Sequence, residues 1–162
     1  MSYKWIMSVA IILGLSIFIP VARAQQPYDL TECYSFVLST LQESQEIRIV
    51  GLDAKGIAQS NHASKVFDNC TIHTVGIRLD MKGSSAVQGY FKYMDPDGDI
   101  FIMEGTLAEG EKAATMKFIY GTGKWKGIKG EGKDQQVARG KPISPGTAQI
   151  CYRNTGTFQL PK

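Results

Sequence analysis

The sequence predicts an all-β protein, a closed antiparallel barrel of about eight strands, on three observations. From Glu46 onward, short apolar-alternating runs are cut by glycine-rich turns about every 8–12 residues, the spacing of a sandwich or barrel. Several runs are apolar on both faces, as in Phe101, Ile102 and Met103, which fits a closed sheet with a filled inside and a partly covered outside. The third observation is Phe118 to Gly132, F-I-Y-G-T-G-K-W-K-G-I-K-G-E-G, which holds five of the 17 glycines. Its charges sit at Lys124 and Lys126, then at Lys129, Glu131 and Lys133, so the charged face changes parity at Gly127–Ile128. Strand side chains alternate with period two, so one regular strand cannot carry that pattern. A strand ending near Tyr120, a glycine turn carrying Trp125 and Ile128 inward, and a strand starting near Lys129 can.

Met1 to Ala24 has the build of an export signal: Lys4, an uncharged apolar run from Trp5 to Ile19, and Ala22-Arg23-Ala24 before Gln25. The run is short for a membrane span, which takes about 20 apolar residues, although an uncleaved anchor is the alternative. Cleavage leaves about 138 of the 162 residues, one domain of ordinary size. Residues 25–45 are expected to be an N-terminal leader, with a short helix over Leu30 to Leu41 or a strand in its place, and 46–162 the barrel.

Strands are expected around Ile47 to Ile49, Cys70 to Leu79, Val87 to Met94, Ile100 to Leu107, Ala113 to Tyr120, Lys129 to Arg139, Ala148 to Arg153 and Thr157 to Leu160. Asp95-Pro96-Asp97-Gly98-Asp99 reads as a tight hairpin. Its three carboxylates begin like a calcium loop, but Ile100 and Thr106 stand where glycine and glutamate belong. A charged turn is the simpler reading.

The formal charge is +3 over 162 residues, and loss of Lys4 and Arg23 brings it close to neutral. Nothing there asks for nucleic acid or an acidic membrane. No dinucleotide or phosphate-loop motif is met, because Gly127 follows Gly123 one residue too late and Lys124 precedes Trp125; no cofactor is expected. Cys33, Cys70 and Cys151 lack metal-ligand spacing with His62 and His73. Cys70 and Cys151 lie in strand-like runs and are the candidate disulfide, with buried thiols as the alternative.

G-T-G-K-W-K-G-I-K-G-E-G, with Gly121, Gly123, Gly127, Gly130 and Gly132, resembles a signature of small exported bacterial β-barrel proteins, which are similar to the allene oxide cyclase and dirigent barrels. The D-P-D-G-D hairpin and the closing N-T-G-T-F-Q-L-P fit the same group, so the resemblance spans about residues 88–162. It implies an eight-stranded barrel in an exported, periplasmic or secreted protein. It carries over no catalytic residue.

Candidate lumen-lining residues are Glu104, His73, Tyr93, Phe118, Tyr120 and Trp125. Glu104 shares a face with Ile100 and Ile102, and His73 with Val75 and Ile77, where either would be a buried titratable group. The alternatives are a strand-end glutamate reaching water and a hydrogen-bonded core histidine. The aromatics would give an apolar cavity with polar tips, or plain core. The expected function is non-enzymatic binding of a small apolar ligand or a partner protein. The alternatives are a cyclase or isomerase acting on a ligand held in the barrel, and a structural homo-oligomer.

Overall fold

The computed structural model describes residues 24–161, so the segment Met1 to Ala24, expected to be an export signal, lies outside the described residues except for Ala24. Eight strands follow in chain order: β1 (Gln26–Glu43), β2 (Ile47–Ser60), β3 (Cys70–Met81), β4 (Ser84–Met94), β5 (Ile100–Leu107), β6 (Ala114–Gly121), β7 (Lys129–Arg139) and β8 (Thr147–Gln159). Each pairs antiparallel with the next, and β8 returns to β1 to close the barrel. Closure removes the two edges an open sheet would expose.

The expected leader is instead β1, a full member of the wall. Its buried residues are Tyr28, Leu30, Glu32, Tyr34 and Phe36, a strict period of two. The short-helix alternative over Leu30 to Leu41 fails with it, because the helical spacing mixes inward Leu30 and Tyr34 with outward Cys33 and Val37. A carboxyl in the middle of the apolar row hid the strand pattern. The first sequence-level strand also runs on past Gly51-Leu52-Asp53 to Ser60.

The barrel has unlike ends. One carries the 61–69 loop, the D-P-D-G-D hairpin, the 3-10 turn Gly123–Trp125 and both ends of the described chain, and aromatic side chains close it. Phe67 enters there, with ring centroids 4.7 Å from Phe101, 4.9 Å from Trp125 and 4.9 Å from Phe158. Tyr28 and Phe118 complete the plug. Asp95 locks it: one oxygen accepts from the backbone N–H of Asp97 (2.9 Å) and Asp99 (3.1 Å), the other from Trp125 Nε1 (2.8 Å) and Lys124 Nζ (2.8 Å). The hairpin is therefore fastened to the turn that follows β6, and the parity change near Gly127 is this chain reversal.

The structure corrects the cysteine pairing. Cys33 bonds to Cys151 across the β1–β8 seam, where the two are direct register partners, and Cys70 is a buried free thiol. Cys70 lies in the inward row of β3, while Cys151 lies in the outward row of β8. The two side chains are on opposite sides of the wall. Burial pushes the Cys70 thiol up to about 12, with Asp95 and Glu32 adding to the effect, so it is a poor nucleophile.

Two outcomes follow. Alkylation of the unfolded, unreduced chain should modify one cysteine, Cys70, and alkylation after reduction all three; peptide mass spectrometry reads both. Asp95→Ala should lower unfolding free energy in urea by about 2–3 kcal/mol, because it strands the buried indole N–H of Trp125 and frees the hairpin.

Candidate functional site

A polar layer crosses the lumen. Glu32 on β1 is fully buried, and three donors from three strands meet its carboxylate. Tyr34 Oη donates to Oε2 (2.8 Å), and Tyr93 Oη (3.0 Å) and Asn154 Nδ2 (3.2 Å) donate to Oε1. Tyr28 Oη in turn donates to Asn154 Oδ1 (3.1 Å). Burial pushes all the tyrosine hydroxyls up, so they remain protonated donors at neutral pH. Three charge-assisted bonds of roughly 1.5–3 kcal/mol each offset part of the several kcal/mol lost when a carboxylate leaves water.

Glycine makes room for this layer. A Cβ on Gly132 or Gly156 would collide with the Tyr28 hydroxyl and with facing strand backbone. Two bare register partners, Gly132 on β7 and Gly156 on β8, let the phenol lie flat on the wall and reach Asn154.

A second carboxyl, Asp134 on β7, is also buried (5% exposed), and its Oδ1 has no hydrogen-bond partner among the described residues. It faces Asn154 in register. Burial and then the charge of Glu32 raise its pKa. Burial raises Glu32 too, but the bonds from Tyr34, Tyr93 and Asn154 oppose the rise. The donor count decides where the proton goes: Glu32 holds the charge, and Asp134 holds the proton near neutral pH.

Beyond this layer lies a second aromatic group. Tyr34 packs on Phe36, Phe91 and Tyr152, with centroids 5.6, 6.3 and 6.0 Å away. Leu38, Leu52, Phe91, Ala114 and Tyr152 face inward yet are only half-buried. These inward residues near the end of the barrel still meet solvent. Arg78 and Arg139 occupy inward register positions on its rim, opposite Val50 and Ile150 respectively.

Of the sequence-predicted residues, Tyr93, Phe118 and Trp125 are inside. Glu104, His73 and Tyr120 are corrections, for all three lie on the outer wall. On β5 the buried residues are Phe101 and Met103, so Glu104 points out and accepts from Gln88 (2.9 Å) and Tyr90 (3.4 Å). On β3 the buried residues are Cys70, Ile72 and Thr74, so His73 points out beside Asp53 (3.3 Å). Tyr120 should share a face with Phe118, but a register shift at Ile119 turns it outward, 52% exposed. Glu32, Tyr34, Asp134 and Asn154 were missed. Asp134 had a signal: Gly130, Gly132 and Asp134 form the face opposite Lys129, Glu131 and Lys133.

No family model and no curated protein matches the chain. Solved structures do. The pterocarpan synthase dirigent protein GePTS1 is 13% identical with a TM-score of 0.53, over 87% of this chain and 91% of that one. The pterocarpan synthase dirigent protein PsPTS1 is 12% identical with a TM-score of 0.52, over 86% of this chain and 100% of that one. The fold is the dirigent barrel. Identity at this level speaks for the path of the backbone and leaves the site to be argued from its own residues.

The acid pair gives a pH dependence with a definite sign. Both folded-state pKa values are raised above the unfolded ones, so the folded chain binds protons more tightly. The pair's contribution to stability is fully present below the unfolded values and is lost as pH rises through the folded values. The urea midpoint should fall between about pH 5 and pH 9, and Asp134→Asn should flatten most of that slope while raising the midpoint at the alkaline end.

Proposed function

We propose that the chain is an exported binding barrel that holds one small molecule in the open half of its lumen, with an apolar body against Phe36, Phe91 and Tyr152 and a hydrogen-bond donor on Asp134. The observation that carries this is Asp134 itself. A buried oxygen without a protein partner costs about 1–3 kcal/mol, and a ligand hydroxyl on the half-exposed wall would relieve that cost. Few polar groups at the base of an apolar funnel is the usual form of a small-molecule site. Export is supported by the signal-like Met1 to Ala24 and by the Cys33–Cys151 bridge, since such bonds persist in oxidising compartments.

One observation favours a second reading, a cyclase or isomerase. A protonated Asp134 beside an ionised Glu32 is a pair of carboxyls held in different protonation states, the arrangement that lets one act as acid near neutral pH. In that reading Asp134 would protonate a bound ligand, and the lumen would hold it in the reacting shape.

Native mass spectrometry of the mature protein, followed by solvent extraction, tests both. A single co-purifying mass is expected on wild type, and Asp134→Leu, which removes the acceptor oxygens, should retain it about tenfold less. A bare wild-type barrel would remove the lumen-binding reading. An extracted compound returned unchanged after incubation with fresh protein supports binding, and its conversion by wild type but not by Asp134→Asn supports the enzyme.

A further inference from the structure

The mouth of the barrel carries charge that the deep polar layer does not use. Three arginines take inward register positions there: Arg48 opposite Asp80, Arg78 opposite Val50 and Val87, and Arg139 opposite Ile150. Two of them are answered. Arg48 pairs with Glu43 at 3.3 Å, and Arg78 Nε donates to both oxygens of Asp80 at 2.8 and 3.0 Å. Asp80 also accepts from Ser85 Oγ (2.6 Å), which fixes it and leaves the terminal nitrogens of Arg78 available. Arg139 has no ion-pair or hydrogen-bond partner among the described residues. Both Arg78 and Arg139 act on the same lumen side chain: burial, followed by Asp134, pushes the Tyr152 phenol up to about 12, and these two guanidiniums oppose that rise.

We infer that the lumen ligand is an anion that enters with its donor end first, its acidic group held at the mouth by Arg139 and Arg78 and its hydroxyl on Asp134. This rests on the lumen binding proposed above. Charge fixes the orientation. The base of the funnel holds the Glu32 carboxylate with Asp134 beside it, so an anionic group driven to that depth would meet like charge in a poorly solvated space. At the inward register positions of the mouth three guanidiniums stand against the two carboxylates of Glu43 and Asp80, and the cation in excess there is Arg139.

Geometry sets the size. Asp134 and Arg139 lie on the same strand, with one residue between them taken up by the shift at Val137. Four strand steps separate them by roughly 13 Å. The inward reach of both side chains shortens the span that a ligand must cover. The wall between is aromatic, from Phe36, Phe91 and Tyr152. A ligand of two fused or linked rings fits, with a hydroxyl at one end and a carboxylate at the other.

Hydroxynaphthoate, with hydroxyl and carboxylate at opposite ends of its rings, and its neutral methyl ester are the probes. Fluorescence titration of the mature chain should show the acid binding about threefold to fivefold more tightly than the ester at low salt. Salt of about 0.5 M should remove that preference through screening. Arg139→Gln should remove most of it, and Arg78→Gln part of it, with the ester's affinity unchanged in both. Equal binding of acid and ester by wild type would overturn the inference and leave lumen binding standing. An equal loss for acid and ester in the arginine variants would also overturn it, by reducing those residues to wall structure. Failure of both probes to bind would sink the inference together with the lumen reading it rests on.

Discussion

A single carboxylate, Glu32, sets the terms for the middle of this barrel. An ion with no exposed surface must have donors, and its three come from Tyr34 on its own strand, Tyr93 on β4 and Asn154 on β8. The ladder ties each strand only to its neighbours, whereas the bond from Tyr93 ties β4 to β1 across the lumen. They also separate two aromatic groups, the plug around Phe67 and the smaller set around Tyr34. The dependence reaches the glycine segment. Gly132 and Gly156 let Tyr28 lie on the wall, Tyr28 holds Asn154, and Asn154 holds Glu32. A motif that reads as architecture thus serves the site at two removes.

The two ends of the barrel differ for reasons that can be named. At the closed end, the backbone of a five-residue hairpin, an indole and a lysine all converge on Asp95. The bonds from Lys124 and Trp125 outweigh burial and keep its carboxyl below the ordinary range. The polar groups around Asp95 are spent on one another, although Ser60 Oγ at that end is buried without a hydrogen-bond partner among the described residues. Toward the other end, Arg139 at the rim and the Asp134 oxygen in the depth are likewise without partners among the described residues.

The barrel was legible in the sequence where period and punctuation agreed. The parity change near Gly127 foretold the reversal between β6 and β7, and the inward placing of Trp125 and Ile128 followed from it. The site was legible only in part, and each failure has a physical source. Glu104 and His73 lie on strands with apolar residues on both faces, where alternation alone cannot say which face is inside. Tyr120 was misplaced by one extra residue at Ile119, a local shift that no propensity marks. Cys151 found its partner in Cys33 because the first and last strands are neighbours, and a linear reading cannot see that adjacency. Glu32 disguised its own strand, since a buried acid interrupts the pattern by which buried strands are recognised.

The same interruption sets a polar layer in the middle of the core. Had position 32 been apolar, the tyrosine hydroxyls and Asn154 would lack a common acceptor, and Asp134 would sit in no negative field. With Glu32 ionised, Asp134 is held protonated and therefore has a donor as well as acceptors to offer. Two carboxyls of similar intrinsic acidity are driven to opposite states by one difference, three donors against none. Binding and proton transfer would draw on that same asymmetry. In the reading proposed above, the choice between them turns on whether a molecule seated beside Asp134 would have an atom able to accept its proton.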